Sequence, residues 1–594
     1  MVGYFTAAMK KRAVEVNERK LTAADKAKFA AAKDIEVNNF IQARAFESLP
    51  EHLRLDKSRA IRMRWILTWK KTDSGEAKAK ARAVLLGYQD PLYEHRATTS
   101  PTTTRQTRQV QLQISASMRF RTWKGDVTGA FLQSRPYPSE LLCIPCPEIC
   151  TAMGIPAESV VRVKKACYGL VGAPLEWYRS VCEFFSHLGF RRCWSDPCCW
   201  TLVKDGVLRG LISAHVDDFL FSGSESDEVW QAAMTAIKEQ FKWSDWQRDQ
   251  FVQCGVLIEQ HADFSFSLSQ ESYVDELKHI NIRAHRRKEK HAATDQFEKS
   301  QLRTLLGGLS WHAQQVAPHI SAEVGMLLSE VNHSTVETLY KANKCLDQAK
   351  GMKQHRMRIH AMPVNETILC AWTDAAAHNR VDGSSTQGII VAAAPEGLLQ
   401  GRCENISFLT WHSSKIGRIC RSPGASEAIA AVNAEDLLFF ARFQFVELLG
   451  YPIDIRQVNK SVNLVRGCLV TDSRNVFDKL ATEVVCTRGA EKRVDLDLMS
   501  LKDAQLRNQV IVRWVHSDAQ IANSLTKGKE LHQLHLFYEM NQRWRVVDDE
   551  TMSSARKRKE KGLKPLDNHH PLPESHSSEH THNHSSHNNK DDKP

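Results

Sequence analysis

An apolar run near the middle of the chain is interrupted by two adjacent carboxylates, Asp217 and Asp218. Successive side chains of a strand point to opposite faces, so a straight buried strand over 211–221 would bury one acid whichever face formed the core. Burying an unpaired carboxylate costs more free energy than one neighbouring Leu or Phe returns. The run therefore predicts a hairpin that exposes both acids at its tip, where a divalent cation neutralises them.

A third acid, Asp126, lies in a similar setting upstream, within the stretch 125–132. Three carboxylates at strand ends form the ligand set that a two-magnesium phosphoryl-transfer site needs. An ordinary acidic turn is the alternative for an Asp-Asp pair taken alone. The other motifs of the chain favour the metal site.

The composition is that of several globular domains. The chain has 594 residues, 42% of them hydrophobic and 25% charged, which is too long for a single core. No apolar run reaches the roughly 18 residues of a membrane span, and the N-terminus lacks a signal-peptide core. Fifteen cysteines without a secretory signal indicate reduced thiols in an intracellular protein. The net charge of +11 is compatible with a polyanionic partner.

The first half of the chain combines helices and strands. Helical spacing over 10–48 predicts a pair of surface helices. Two β-type runs, 61–70 and 77–88, predict a hairpin with its turn at 71–75. The region that follows is mixed: it holds predicted strands at 121–126, 160–163, 199–203 and 207–215, and predicted helices at 173–188 and 225–241.

The second half changes in character twice. Apolar residues that recur every three or four positions predict a helical subdomain with helices at 297–315, 320–331 and 335–349. A β-rich segment begins at 368 and alternates with helices to about 538. After about 550 the chain loses its apolar residues and becomes rich in His, so we expect this tail to be disordered.

A second set of acids lies in the β-rich segment. Asp374 and Asp472 each end a strand-like run, and Glu427 lies at the start of a predicted helix. Acids at element ends converge readily, although an isolated Asp at a strand end is more often a turn former. The order strand-Asp, helix-Glu, strand-Asp resembles a ribonuclease H site, in which two magnesium ions activate water against a phosphodiester.

Together these residues resemble the reverse transcriptase–ribonuclease H portion of the Pol polyproteins of copia-type long-terminal-repeat retrotransposons, from about Arg62 to Lys527. The motifs that carry the resemblance follow the family order: 64–71 and 80–88, 99–101, 125–132, 166–178, 215–218, 305–311, 373–375, 411–415, 426–428 and 521–527. Their number and order give a specificity that one Asp-Asp pair lacks.

The resemblance implies an α/β and α+β multidomain fold. A right-hand polymerase with fingers, palm and thumb would be followed by a ribonuclease H-like domain. We therefore expect an N-terminal helical segment over 1–55, fingers and palm over 56–290, a helical thumb or connection over 291–360, a ribonuclease H-like domain over 361–545, and a disordered basic and His-rich tail over 546–594.

The resemblance also implies roles for the acids. In the polymerase, Asp126, Asp217 and Asp218 would be catalytic and would hold two Mg²⁺ (or Mn²⁺) ions. In the ribonuclease H-like domain, a second catalytic metal site would be formed by Asp374, Glu427 and Asp472.

Four further residues are expected to contact substrate. Lys80 and Arg82 are candidates for gripping the triphosphate, with a solvated edge strand as the alternative. Phe131 falls where similar polymerases exclude a ribose 2′-hydroxyl, with a plain core aromatic as the alternative. His215 stands where family members usually have Tyr, and we expect it to alter primer positioning.

Two other positions depart from the family pattern. Gly172 stands where many relatives have Gln. Asn523 stands at the usual fourth ribonuclease H carboxylate, and an uncharged amide should bind the second ion more weakly. Asp518 lies close in sequence and is a candidate replacement.

The leading hypothesis is an RNA-directed DNA polymerase with an attached ribonuclease H domain. Its expected partners are an RNA template, a DNA primer, an RNA–DNA hybrid and dNTPs, with no membrane; the oligomeric state stays open. Its expected location is intracellular, in a cytoplasmic particle or the nucleus, and we expect no protease or integrase module in this chain. The alternatives are a degenerate relic that binds nucleic acid without catalysis, and a plain nuclease.

Overall fold

The computed structural model describes residues 15–50, 57–71, 76–482, 492–528 and 532–547, with 560 and 562. The predicted turn at 71–75 and the predicted tail fall almost entirely outside these residues. The chain folds as two compact units, Met1–Thr104 with Trp123–Gln247 and Arg105–Thr122 with Arg248–Pro594. A mixed α/β multidomain fold is thereby confirmed, whereas the five predicted segments stay a prediction.

In chain order the described helices are α1 (Ala23–Gln42), α2 (Arg105–Ser117), α3 (Pro147–Ala152), α4 (Ala173–His187), α5 (Glu228–Gln240), α6 (Glu271–Glu276), α7 (Gln296–Gln315), α8 (Ser321–Glu330), α9 (Val336–Gly351), α10 (Pro423–Leu448), α11 (Val458–Val462), α12 (Arg474–Ala481), α13 (Lys492–Arg507) and α14 (His532–Glu539). The helices predicted at 173–188, 225–241 and over 297–349 are thus confirmed to within a few residues.

The described strands of the first half are β1 (Phe46–Ser48), β2 (Ile61–Lys71), β3 (Ala77–Leu85), β4 (Arg121–Val127), β5 (Leu142–Ile144), β6 (Val161–Val163), β7 (Arg191–Arg192), β8 (Cys199–Lys204), β9 (Val207–His215), β10 (Asp218–Gly223) and β11 (Trp243–Arg248). Those of the second half are β12 (Gln250–Gln253), β13 (Val256–Gln260), β14 (Phe266–Ser269), β15 (Met357–Ile359), β16 (Thr367–Ala376), β17 (Thr386–Pro395), β18 (Glu404–Asn405), β19 (Ser407–Lys415), β20 (Gly467–Thr471), β21 (Val510–Trp514) and β22 (Arg543–Trp544).

The N-terminal region of the first unit packs on the predicted hairpin. Strands β2 and β3 pair antiparallel at the edge of a five-stranded sheet, in the order β1-β6-β5-β2-β3. The prediction of a pair of surface helices over 10–48 is wrong for its described part. A single long helix, α1, is followed by strand β1, and Phe29 and Phe40 of α1 are fully buried. Burial of these two rings stabilises the helix against the sheet, which a surface pair would not do.

A six-stranded sheet in the order β11-β4-β10-β9-β8-β7 forms the centre of the first unit. Its core contains the fully buried rings of Phe219 and Trp230. A Cβ at Gly210 or Gly223 would lie 2.2 or 2.3 Å from the Trp230 ring. The two glycines on neighbouring strands therefore make the space in which this indole packs.

The second unit contains a helical core and two larger sheets. Apolar residues of α7, α8 and α9 form one buried cluster, as the helical spacing predicts. Strands β12-β13-β14-β15 form a four-stranded sheet, and β19-β17-β16-β20-β21 form a five-stranded sheet.

The five-stranded sheet is mixed. β16 pairs antiparallel with β17 and parallel with β20, and the register places Thr373 beside Thr471. Helix α10 packs against β16. Because parallel strands carry their carboxyl ends to the same edge, the residues that follow Thr373 and Thr471 lie near each other.

The helices in the described ranges include no candidate membrane span. None of the helices there combines the length and the apolar character needed to cross a bilayer.

Candidate functional site

The first acidic cluster, named the hairpin site, consists of Asp126, Asp217 and Asp218. Strand β9 ends at His215 and β10 begins at Asp218, which pairs with His215 across the turn. Between them Val216 has a φ of +64°, a left-handed conformation that is strained for a β-branched residue. The structure thus has the hairpin that the interrupted apolar run predicts.

The turn of this hairpin is fixed by two hydrogen bonds from outside it. The indole Nε1 of Trp177 on α4 donates to the Val216 carbonyl at 2.7 Å. The backbone N–H of Val127 on β4 donates to the Asp217 carbonyl at 2.9 Å. Two donors on separate elements therefore hold the strained backbone and aim the acid between them.

Asp126 lies at the end of β4 and is held from the neighbouring strand β11. The hydroxyl of Ser244 donates to the Asp126 carbonyl at 3.0 Å and to its Oδ2 at 3.1 Å. One side chain thus contacts both the backbone and the carboxylate of Asp126, which limits rotation of the carboxylate.

Asp217 lies within electrostatic reach of Asp126. The pKa of the half-buried Asp217 is raised by burial and then by the charge of Asp126, and the charges of Lys80 and Arg82 oppose this rise. The pKa of Lys80 is lowered by burial and by Arg82, and Asp126 and Asp217 act in the opposite sense. The two basic residues predicted to bind a triphosphate therefore lie within electrostatic reach of two of the predicted acids.

An aromatic pair adjoins these basic residues. The rings of Phe131 and Tyr168 meet edge to face with centroids 5.0 Å apart, and the Arg82 guanidinium lies 5.8 Å from the Tyr168 centroid. Phe131 is half-buried rather than a fully enclosed core ring. Burial raises the pKa of Tyr168 to about 12, so this phenol stays protonated.

Asp218 has a different neighbour from the other two acids. Its Oδ1 lies 3.9 Å from Nζ of Lys124, and both side chains are about one-fifth exposed. The carboxylate oxygens of Asp126, Asp217 and Asp218 do not all fall within 4.8 Å of one another. The structure therefore does not bring all three predicted ligands within that distance, and it places a lysine beside Asp218.

The second acidic cluster, named the sheet site, consists of Asp374, Glu427 and Asp472. Each offers a carboxylate oxygen within 4.8 Å of the others, and within the described ranges this is the one group of three or more potential ligand residues that meets that distance. Asp374 follows Thr373 on β16, Asp472 follows Thr471 at the end of β20, and Glu427 lies near the start of α10.

The acids of the sheet site repel one another strongly. Burial, then Asp374 and Asp472, raise the pKa of Glu427 well above its usual range. Burial and the charge of Asp374 raise the pKa of Asp472 to about 7. Lys527 opposes both shifts. The Oε2 atom of Glu427 is buried and accepts no hydrogen bond from the described residues, which leaves an unsatisfied acceptor in the cluster.

Gln520 and Thr526 form hydrogen bonds to the strands that carry these acids. The buried amide of Gln520 donates to the carbonyls of Thr373 at 3.0 Å and Val470 at 3.4 Å. The hydroxyl of Thr526 donates to Oδ2 of Asp374. Gln520 thereby bridges β16 and β20 immediately before their acids.

The amide of Asn523 is engaged by the backbone. Its side chain is buried and its Nδ2 donates to the Ser517 carbonyl at 2.7 Å. The proposed replacement, Asp518, is wrong in this structure: its exposed side chain lies 3.2 Å from Nδ1 of His516 and outside the group of three acids. A carboxylate at the surface gains more from hydration than from joining three like charges.

Sequence reasoning missed the residues that position the acids. Lys124 had a detectable signal, because a strand with a period of two places it on the same face as Asp126. Trp177 lies in a recognised motif, but no local pattern links it to a turn 39 residues away. The role of Ser244 could not be predicted, because a serine on a polar strand is common and does not indicate a contact with Asp126.

Part of the chain matches a known protein family, and most of it is similar to named proteins. Residues 52–286 match the family described as reverse transcriptase (RNA-dependent DNA polymerase). Two Arabidopsis thaliana relatives, the retrovirus-related Pol polyproteins from transposons RE1 and RE2, are each 24% identical over 80% and 78% of this chain. The Pol polyprotein from transposon TNT 1-94 of Nicotiana tabacum is 24% identical over 38% of it.

The resemblance to copia-type retrotransposon Pol polyproteins is confirmed. This chain spans about a third of the length of the first two copia-type relatives, 31% and 30%. Among solved structures, it is similar to a foamy viral protease-reverse transcriptase in complex with double-stranded DNA, with a TM-score of 0.46, 10% identity, and coverage of 82% of this chain and 70% of that one. It is also similar to a foamy viral protease-reverse transcriptase in complex with RNA/DNA hybrid, with a TM-score of 0.44, 11% identity, and coverage of 82% of this chain and 54% of that one.

Proposed function

We propose that this chain is an RNA-directed DNA polymerase with an attached ribonuclease H-like domain. The observation that carries the proposal is the acidic β9–β10 hairpin, whose Asp217 is hydrogen-bonded to the strand of Asp126 and lies within electrostatic reach of Lys80 and Arg82, inside the residues that match the reverse transcriptase family. Its substrates are dNTPs and a DNA primer on an RNA template, and its second site acts on the RNA–DNA hybrid.

The elements fit a right-hand polymerase. The β2–β3 hairpin corresponds to the fingers, the six-stranded sheet with the β9–β10 turn to the palm, and the α7–α9 bundle to the thumb or connection. The mixed sheet β19-β17-β16-β20-β21 with α10 corresponds to the ribonuclease H-like domain.

The acids of both sites fit a divalent cation. Carboxylate oxygens are the ligands that Mg²⁺ prefers. A positive charge would reduce the repulsion between Asp126 and Asp217. It would also give the buried Oε2 of Glu427 a partner. Asp126, Asp217 and Asp218 would hold Mg²⁺ or Mn²⁺ in the polymerase site. When bound, such ions lower the pKa of an attacking hydroxyl and stabilise the charge on the leaving group.

The protein's own groups supply binding and orientation. Lys80 and Arg82 attract the triphosphate, and the planar guanidinium suits bidentate contact with phosphate oxygens. Phe131 packs against Tyr168, which Arg82 also approaches, and its apolar ring is proposed to exclude a ribose 2′-hydroxyl. The Trp177 and Val127 hydrogen bonds keep Asp217 aimed at the site without reorganisation during reaction.

At the sheet site, Asp374, Glu427 and Asp472 are proposed to support metal-dependent cleavage of the RNA strand of a hybrid. Three ligands converge there, and the fourth family position is an amide that faces the Ser517 carbonyl. We therefore propose that hybrid cleavage is weaker than DNA synthesis.

One observation favours a second candidate, a relic that binds nucleic acid without catalysis. Lys124 and Lys527 lie beside acids of the two sites and already compensate part of their charge. If they keep metal out altogether, the fold retains its basic surfaces but loses its chemistry.

The test is dNTP incorporation on an RNA template with an annealed DNA primer, in Mg²⁺ or Mn²⁺. Asp217→Asn is compared with Asp205→Asn, an exposed Asp in the β8–β9 turn with a φ of +54°, which Asn tolerates. Incorporation that Asp217→Asn abolishes and Asp205→Asn retains supports the polymerase. No incorporation by folded chain that binds the hybrid supports the relic and contradicts the polymerase.

Hybrid cleavage is tested separately, without dNTPs. Glu427→Gln removes a ligand of the sheet site, and Glu366→Gln removes an exposed carboxylate from a turn as the matched control. We expect slow cleavage that only Glu427→Gln abolishes.

A further inference from the structure

The pairing of Asp218 with Lys124 divides the hairpin site into unequal parts. Asp126 and Asp217 repel each other, and Ser244 and Val127 hold them in place. Asp218, the first residue of β10, instead lies 3.9 Å from the ammonium of Lys124. Asp126 and Asp217 thus repel each other, whereas Asp218 has a positively charged neighbour, Lys124.

The backbone commits Lys124 to the side of β4 that bears Asp126. The residue between them, Gly125, is buried, and a Cβ there would lie 2.9 Å from the Trp243 ring and 3.2 Å from the Phe221 ring. Since successive strand residues point to opposite faces, the packed face belongs to Gly125, and Lys124 and Asp126 share the other. β10 is the next strand in the sheet, which places Asp218 within reach.

We propose that Lys124 is a positioning residue that acts as a built-in counter-ion of Asp218. Asp126, Asp217 and Asp218 would hold a divalent cation, and the Lys124 ammonium would compete with it for Asp218. Lys124 thereby raises the metal concentration that a complete site requires. This inference rests on the proposed polymerase site and adds a residue that sets its metal dependence.

The side chain of Lys124 is largely shielded from water. Only about one-fifth of its side chain is exposed, so its charge acts through a medium of lower dielectric than water. An ammonium forms no directional bidentate contact with a carboxylate, so an incoming dication competes with it directly. Releasing Asp218 from this counter-ion should strengthen binding of a dication about tenfold.

The test measures Mn²⁺ binding to the full chain without nucleic acid, from the electron paramagnetic resonance signal of free Mn²⁺. All variants carry Asp374→Asn and Asp472→Asn, so that the sheet site does not contribute. We expect Lys124→Gln and Lys124→Met to tighten Mn²⁺ binding about tenfold. Lys124→Arg should bind like the parent, as should Lys204→Gln, which removes an exposed positive charge at the end of β8.

A double-mutant cycle shows whether Lys124 acts through Asp218. In an Asp218→Asn background, Lys124→Gln should change Mn²⁺ affinity less than about twofold, because its partner is already neutral. In chains that retain the sheet site, the Mg²⁺ concentration for half-maximal dNTP incorporation should fall in Lys124→Gln.

The two possible failures are distinguishable. If Lys124→Gln and Lys124→Met bind Mn²⁺ like the parent while Asp217→Asn binds it weakly, the counter-ion role is wrong and the polymerase site stands. A tightening that persists undiminished in the Asp218→Asn background would also overturn the role. Unchanged binding in Asp217→Asn would contradict the metal site of the proposed function, and the inference would fall with it.

Discussion

The indole N–H of Trp177 donates a 2.7 Å hydrogen bond to the carbonyl of Val216, the residue whose left-handed backbone forms the tip of the acidic hairpin. Trp177 is almost fully buried on α4. A β-branched residue leaves the left-handed region readily unless its surroundings prevent it. Trp177 is therefore the fixed point from which the position of Asp217 is set.

Trp177→Phe is expected to cut dNTP incorporation roughly 100-fold, because the turn relaxes and Asp217 moves from its aligned position. The unpaired Val216 carbonyl should also lower the free energy of unfolding by about 1–3 kcal/mol. Initial incorporation rates and denaturant unfolding measure the two effects.

Trp230→Phe is the matched control, since this buried indole belongs to the same core and its Nε1 has no hydrogen-bond partner among the described residues. It should lose stability by cavity formation yet retain most incorporation activity per folded molecule. Equal activity losses in the two variants would show that packing, and not the hydrogen bond, positions the turn.

The sequence predicts those features of this hairpin that depend on neighbouring residues, and not those that depend on residues far away in the chain. The alternation argument depends only on neighbouring residues, and it places the turn correctly between β9 and β10. The strained φ of Val216 is not predictable in that way, because its cause is a tryptophan far away in sequence. Local pattern therefore predicts the element, and long-range packing decides where its acid points.

The same limit explains the N-terminal helices and the sheet site. Polar residues dominate 10–48, yet Phe29, Val37 and Phe40 bury one face of α1, since each apolar side chain contributes favourable free energy while the exposed lysines stay in water. The order Asp374, Glu427, Asp472 correctly predicts convergence because β16 and β20 are parallel. The orientation of Asn523 depends on one carbonyl in a different turn and has no sequence signal.

Ser244→Ala removes the hydroxyl that holds Asp126. A hydrogen bond is worth about 1 kcal/mol net, so we expect incorporation to fall about fivefold. Ser244 is exposed, so the thermal unfolding midpoint should change little. Ser226→Ala, in an exposed loop of the same unit, should leave the rate unaffected. A rate equal to the parent's would show that Asp126 is held by its strand alone.

The sheet site should make stability depend on pH. The pKa of Asp472 is raised from 3.8 to about 7, so the folded chain binds more protons than the unfolded chain between these values. Without metal, this acid's contribution to the free energy of unfolding is complete below about pH 4 and decreases toward pH 7, by up to about 1.4 kcal/mol per pH unit.

Thermal unfolding at a fixed scan rate in EDTA, from pH 4.5 to 7.5, measures this effect as a difference between the parent and Asp472→Asn. The variant should gain relative to the parent as the pH rises, whereas Asp478→Asn, at an exposed position on α12, should not. Saturating Mg²⁺ should abolish the parent's loss above pH 6, because the dication stabilises the ionised carboxylates. A constant difference at all pH values in EDTA would contradict the coupling of the acids.

Asn523→Asp distinguishes the family pattern from the geometry of this chain. If a missing charge were the only defect, the substitution would restore a fourth carboxylate and increase hybrid cleavage. In the structure, however, the Asn523 amide donates to the Ser517 carbonyl, and a carboxylate there would direct an oxygen at an oxygen. We expect Asn523→Asp to lower the free energy of unfolding by about 1–3 kcal/mol without metal, and to leave the cleavage rate unchanged. Cleavage that rises at unchanged stability would show instead that this side chain turns into the sheet site when metal binds.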